Sequence, residues 1–135
     1  MLDRQWRPRS MPVRMRPKVL FIDDDAAWRE AVTLALTEAG YGVVAAKDAT
    51  EAMQHGEDAK LGLIVLDLNL AGESGLTLMK YLRHNCPGVP IVIFTGLEHD
   101  DSTVRAMLED GADRYLRKSG VDELVVTVGS YLRLN

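Results

Sequence analysis

The sequence predicts an α/β domain built on a doubly wound, five-stranded parallel sheet in the order 2-1-3-4-5. Three observations lead there. The apolar runs Leu63–Leu66 and Ile91–Phe94 lack polar alternation, as strands buried on both faces do, and Val19–Ile22 is a short run of strand-favouring residues. Stretches with helical spacing of apolar residues lie between them. Each run also ends abruptly in polar residues: Asp23-Asp24-Asp25, Asp67 and Thr95-Gly96. Right-handed crossovers between parallel strands leave few ways of winding five such units.

The first strand, Lys18–Ile22, follows Pro17 and breaks into the three aspartates. Asp25 caps a helix over Ala26 to Ala39, with Trp28, Val32, Ala35 and Ala39 at 3.6-residue spacing and Gly40 as the stop. Tyr41 to Ala46 form the second strand, and Ala49 to His55 a short helix ending near Gly56. The third strand leads into Asp67. Leu70 to Gly75 are rich in turn residues, and Ser74 caps a helix carrying Leu76, Met79 and Leu82 that closes before Pro87. The fourth strand is Pro90–Phe94, with proline confined to its first position. Helix four carries Val104, Met107 and Leu108 and ends at Gly111; Arg114–Arg117 is the last strand; helix five runs through Leu124, Val128 and Leu132. Methionine and leucine positions on the helices are expected in the core.

At 135 residues and 47% hydrophobic, the chain suits a single core, read as a domain over residues 18–135. Residues 1–17 hold five arginines and three prolines without apolar periodicity, and read as a disordered or expression-derived basic tail. The remainder is acidic, which argues against direct nucleic-acid binding by this domain and for a bound divalent cation. Cys86 is the only cysteine, so no intrachain disulfide can form. No apolar stretch approaches the roughly 18 residues of a membrane span, and the chain is expected to be cytoplasmic.

In the predicted order the first and third strands are neighbours about 4.8 Å apart, so Asp23, Asp24 and Asp67 converge. Carboxylates in one crevice repel unless a cation neutralises them. Oxygen donors with room for water describe a magnesium (or manganese) site, with Asp24 and Asp67 as direct ligands, Asp23 holding a water and the backbone carbonyl of Asn69 completing the set. Such an ion lets the Asp67 carboxylate attack phosphorus in line. Thr95 and Lys118 stand at the same edge as donors to phosphoryl oxygens. Lys118 pairs with Asp67 at rest and with phosphate later, whereas the Thr95 hydroxyl reaches phosphate only by moving inward.

Asp23-Asp24, Asp67, Thr95-Gly96, Tyr115 and Lys118, spaced in this way, resemble the receiver domain of two-component response regulators over about Lys18 to Leu134. The resemblance implies the flavodoxin-like receiver fold and transfer of a phosphoryl group to Asp67 from a sensor histidine kinase or histidine phosphotransfer protein. It also implies a switch in which inward motion of Thr95 is coupled to rotation of Tyr115. The face of helix four, strand five and helix five then controls an output domain or effector, or forms a homodimer. In this reading the protein is a phosphoacceptor that assists its own phosphorylation and dephosphorylation, not an enzyme acting on a separate substrate.

Two positions depart from the family pattern. Ala71 replaces a common proline, which should loosen the loop after Asp67. Ser119 replaces the proline that usually follows the lysine with a cis bond. Either the fold holds a cis Lys118–Ser119 bond at roughly 3 kcal/mol, or the bond is trans and Lys118 approaches differently. Leu97 is apolar where a polar side chain could orient attacking water, which predicts slow loss of the phosphoryl group, to be measured against Leu97→Glu.

Two other readings compete. A pseudo-receiver would keep the fold as a phosphorylation-independent binding module. A haloacid dehalogenase-like phosphatase would need an acid two residues after the nucleophile, where this chain has Asn69. His55, His84 and His99 read as solvated surface residues, Cys86 as an inert loop thiol, and Trp28 as packing that would report metal binding if it lies near the crevice.

Overall fold

The computed structural model describes residues 17–58, 60–96 and 98–132. The 1–17 tail, apart from Pro17, and Leu97 lie outside the described residues.

Five parallel strands, β1 (Lys18–Ile22), β2 (Gly42–Ala46), β3 (Leu61–Leu66), β6 (Ile91–Thr95) and β7 (Arg114–Arg117), form one sheet in the order β2-β1-β3-β6-β7. With the short pair β4 (Asn69–Leu70) and β5 (Glu73–Ser74) set aside, this is the predicted 2-1-3-4-5 winding. The helices are α1 (Ala26–Ala39), α2 (Ala49–His55), α3 (Gly75–Asn85), α4 (Asp101–Glu109) and α5 (Asp122–Tyr131).

Alternation along the central strands sends side chains to two cores. Leu20, Ile22, Ile64, Leu66, Ile91 and Ile93 pack on one face with Met79 and Leu82 of α3 and Met107 of α4. Val19, Phe21, Leu63, Val65, Val92 and Phe94 pack on the other with Val32 and Leu36 of α1 and Leu124 and Val128 of α5. Both faces of β1, β3 and β6 are therefore covered, which is why those strands carry no polar alternation.

Local signals set the helix ends. The Asp25 carboxylate accepts from the Ala27 and Trp28 amides, Asp48 from Glu51, Ser74 from Thr77 and Asp100 from Thr103, each satisfying a first-turn donor. Gly40 closes α1 at φ 109°, in the left-handed region that glycine enters without a Cβ penalty.

Some expectations need correction. Leu36 rather than Ala35 is buried on α1, and Leu78 rather than Leu76 on α3; Leu34, Met53, Leu76 and Leu108 lie on the surface. A period of 3.6 read over two or three turns locates a stripe only to within one position, and an apolar residue at its edge stays wet. The fourth strand begins at Ile91, and Pro90 contributes only its carbonyl, which accepts from Ile64 at 2.9 Å. Leu70 to Gly75 are more ordered than a plain loop: β4 and β5 pair antiparallel around Ala71-Gly72, with Gly72 at φ 71°.

Candidate functional site: an acidic crevice at the strand ends

Register brings the acids together. Ile22 pairs with Leu66, so the next residues, Asp23 and Asp67, emerge side by side at the C-terminal ends of β1 and β3. This is the edge where open α/β sheets place their ligands. The Asp67 amide donates to the Ile22 carbonyl at 2.9 Å and the Asp23 amide to Ala46 at 3.0 Å, extending the ladder past the last strand residues. Carboxylate oxygens of Asp23, Asp24 and Asp67 lie within 4.8 Å of one another. Asp23 is fully buried and Asp67 nearly so, whereas Asp24 is exposed.

Lys118 enters from the end of β7. Its Nζ donates to Asp23 Oδ2 at 2.5 Å and to Asp67 Oδ2 at 2.9 Å, with its side chain only 7% exposed. Its backbone is fixed by donation from its amide to the Thr95 carbonyl at 2.9 Å. The expected resting pair with Asp67 is thus present, and Asp23 joins it. The Lys118–Ser119 peptide is trans, which resolves the alternative left by Ser119: the lysine reaches both carboxylates from a trans linkage.

The remaining hydrogen bonds orient individual oxygens. Asp23 Oδ1 accepts from the Asp25 amide at 2.9 Å and Asp67 Oδ1 from the Asn69 amide at 3.1 Å. Asp24 Oδ2 accepts from the Ala71 amide at 3.0 Å. That last bond bears on the expectation of a slightly loosened loop. A proline at 71 would have no N–H to give, whereas the alanine amide ties the turn to Asp24.

Burial is the main influence on Asp23 and pushes its carboxyl pKa above the usual range, only partly offset by the Lys118 hydrogen bond. Burial also opposes the Lys118 charge, but the hydrogen bonds it donates to Asp23 and Asp67 overcome it and hold the ammonium above the ordinary lysine value. Three clustered carboxylates, two of them buried, outweigh the single Lys118 ammonium, and the excess negative charge favours an additional positive charge. The all-oxygen donor set fits a hard divalent ion.

A pocket of about 190 Å³ opens on this cluster, lined by Asp24, Asp25, Trp28, Asp67, Asn69, Gly96 and Lys118. Thr95 is fully buried at the end of β6, and its neighbour Gly96 forms the wall. Tyr115 is half-buried on β7 and forms a T-shaped pair with the His99 ring, at 5.8 Å between centroids and 83° between planes. His99 is therefore not the solvated residue expected from sequence, since its Nε2 is enclosed in the protein; His84 is exposed and His55 half-buried, both remote from the acids in sequence. Cys86 caps α3 and is buried, with Sγ donating to the Gly56 carbonyl at 3.1 Å, so it is a packed thiol rather than a loop thiol.

Trp28, read from the sequence as packing that would report metal binding if it lay near the crevice, lines this pocket. The available signal was its place three residues after Asp25, in the first turn of a helix that starts at the acidic edge.

Comparison with known proteins agrees with this geometry. The profile of the response regulator receiver domain matches residues 19–128. The DNA-binding response regulator MtrA of Mycolicibacterium paratuberculosis is 37% identical over 122 residues, covering 90% of this chain and 53% of MtrA. The chain spans about half the length of the curated relatives it matches. A two-component response regulator from Clostridium difficile superposes with a TM-score of 0.79 at 30% identity, covering 87% of this chain and 97% of that one. A Burkholderia pseudomallei response regulator, solved with a phosphorylated aspartic acid, calcium ion and citrate, gives 0.74 at 30% identity over 86% of this chain and 66% of that one. The five-stranded winding, the acids at its edge and a family profile matching nearly the whole described sheet together place this chain in the receiver domain family of two-component response regulators.

Proposed function

We propose that Asp67 is the phosphoacceptor, receiving its phosphoryl group from a phosphohistidine on a sensor histidine kinase or histidine phosphotransfer protein. An Asp67 carboxylate oxygen bonds to phosphorus as the phosphorus–nitrogen bond breaks, and the departing imidazole takes up a proton. The observation that carries this reading is the Lys118 ammonium held 2.9 Å from Asp67 Oδ2. Once Asp67 becomes an acyl phosphate, that ammonium is within reach of the new phosphoryl oxygens, a charge-assisted contact set up before reaction.

Mg2+ or Mn2+ would be held by Asp23, Asp24, Asp67 and the Asn69 backbone carbonyl. Bound there, it supplies charge that screens the carboxylate from the incoming phosphoryl group. Thr95 and Lys118 serve as donors to the phosphoryl oxygens, and Thr95 with Tyr115 relays the change to the α4–β7–α5 face. That face would act on an output domain or effector, or join two copies. The receiver unit is taken as residues 18–135, with 1–17 as a tail, working in the cytoplasm; among the described residues no helix is long and apolar enough to cross a membrane.

Incubation with Mg2+ and acetyl phosphate followed by intact-mass measurement tests the reading. The wild type should gain one phosphoryl group, and Asp67→Asn should gain none. Free phosphate without an adduct would instead indicate a phosphatase, and no change in the wild type a pseudo-receiver.

A further inference from the structure

Trp28 has no part in the chemistry assigned so far, yet it touches the group on which that chemistry depends. Lys118 Nζ lies 5.2 Å from the centroid of the Trp28 ring, inside the range in which an ammonium is attracted by the negative face of an indole. The ammonium has three protons, and the structure gives it two carboxylate acceptors. The indole face is the third surface against it. The ring is itself held edge-on against Phe94, at 5.5 Å between centroids and 86° between planes. Phe94 is fully buried, packs in turn on Phe21 at 6.3 Å, and directly precedes Thr95. The Trp28 backbone is fixed as well, since it sits in the first turn of α1 under the Asp25 cap.

We infer that Trp28 is a positioning residue for phosphoryl uptake: its ring, braced on Phe94, holds the Lys118 ammonium against Asp23 and Asp67 and walls one side of the acceptor pocket. A lysine side chain has four rotatable bonds and loses considerable rotamer freedom when pinned. An aromatic face against the ammonium restricts that freedom before the phosphoryl group arrives, so less ordering remains for the transition state. Of the described pocket residues, Trp28 is the one that presents a ring to the lysine.

This inference rests on Asp67 as phosphoacceptor, and the test separates the two. Uptake from acetyl phosphate with Mg2+ is followed by intact mass for wild type, Trp28→Leu and Trp28→Phe, each also in a Lys118→Met background, with Tm recorded for every variant. Trp28→Leu is expected to slow uptake by about three- to tenfold. Trp28→Phe, which keeps a π face, should recover most of that loss. In the Lys118→Met background the Trp28→Leu effect should vanish, which a purely structural role would not produce. Equal slowing by Leu and Phe, or an undiminished Trp28→Leu effect without the lysine, would overturn the inference. Failure of the wild type to take up phosphate would sink the acceptor reading instead. In that case a second readout still decides: with Trp6→Phe leaving Trp28 as the single tryptophan, Lys118→Met should shift the indole emission, and unchanged emission would rule out the contact.

Discussion

Lys118 stands between two carboxylates that are almost wholly removed from water, and each member of the trio depends on the others. Removing one partner of a buried ion pair leaves an uncompensated charge, at a cost of about 3 kcal/mol or more. Lys118→Ala should therefore lose about that much stability in urea titrations with chelator present, and recover much of it when Mg2+ replaces the missing positive charge. A loss of the same size in both conditions would mean that the crevice does not exchange one cation for another. Cys86 gives a contrasting case. Burial raises its thiol pKa, and Sγ already donates to the Gly56 carbonyl. Alkylation by iodoacetamide at neutral pH should be far slower in the native protein than in urea, because the thiolate is both scarce and enclosed. Two residues changed meaning once their neighbours were known. His99 proved to pair with the Tyr115 ring, and Ala71 proved to hold Asp24 through an amide that proline lacks.

Among the elements, the turn between β3 and α3 is tightly constrained at Gly75. A Cβ on Gly75 would lie 2.5 Å from the Leu68 Cα and 2.6 Å from its carbonyl oxygen, with main chain rather than a flexible side chain on the other side. Gly75→Ala should destabilise by about 1–3 kcal/mol, as overpacking does, and should also impair phosphoryl uptake, because Leu68 directly follows Asp67. Gly88→Ala is the control, since no atom lies within 4 Å of its Cβ position and only its φ of 89° opposes the change. A smaller loss of Tm for Gly88→Ala, with uptake unaffected, would separate backbone strain from displacement of the chain beside Asp67. Strand centres and the capped starts of α1 and α3 were legible in sequence, since aliphatic runs and side-chain caps are local signals. The β4–β5 pair was not, because a two-residue ladder has no periodicity to read.

Over the whole molecule, Lys18 at the start of β1 reaches Asp58 at 2.7 Å and ties the sheet to the segment before β3. The Lys18 hydrogen bond, helped by the Lys60 amide, lowers the Asp58 carboxyl pKa. A carboxyl depressed in the folded state adds stability above its unfolded value of about 3.9, and that contribution disappears as pH falls through the folded value. Asp58→Asn should therefore lower Tm slightly at neutral pH, with the difference from wild type closing below about pH 4. A constant difference across that window would assign the effect to something other than ionisation. The pair is about a third exposed, so its contribution is small and falls with salt. By itself the sequence determined the five-strand winding, the edge at which Asp23, Asp24, Asp67, Thr95 and Lys118 gather, and the family, because burial on both faces and strand-end acids are written in local order. Only the tertiary structure decided that Lys118 spans Asp23 as well as Asp67 from a trans linkage, and that Trp28 lies against it. Those contacts join residues about 50 to 95 positions apart, and which side chain faces which across the crevice depends on strand register and crossover packing, to which no single stretch of chain commits.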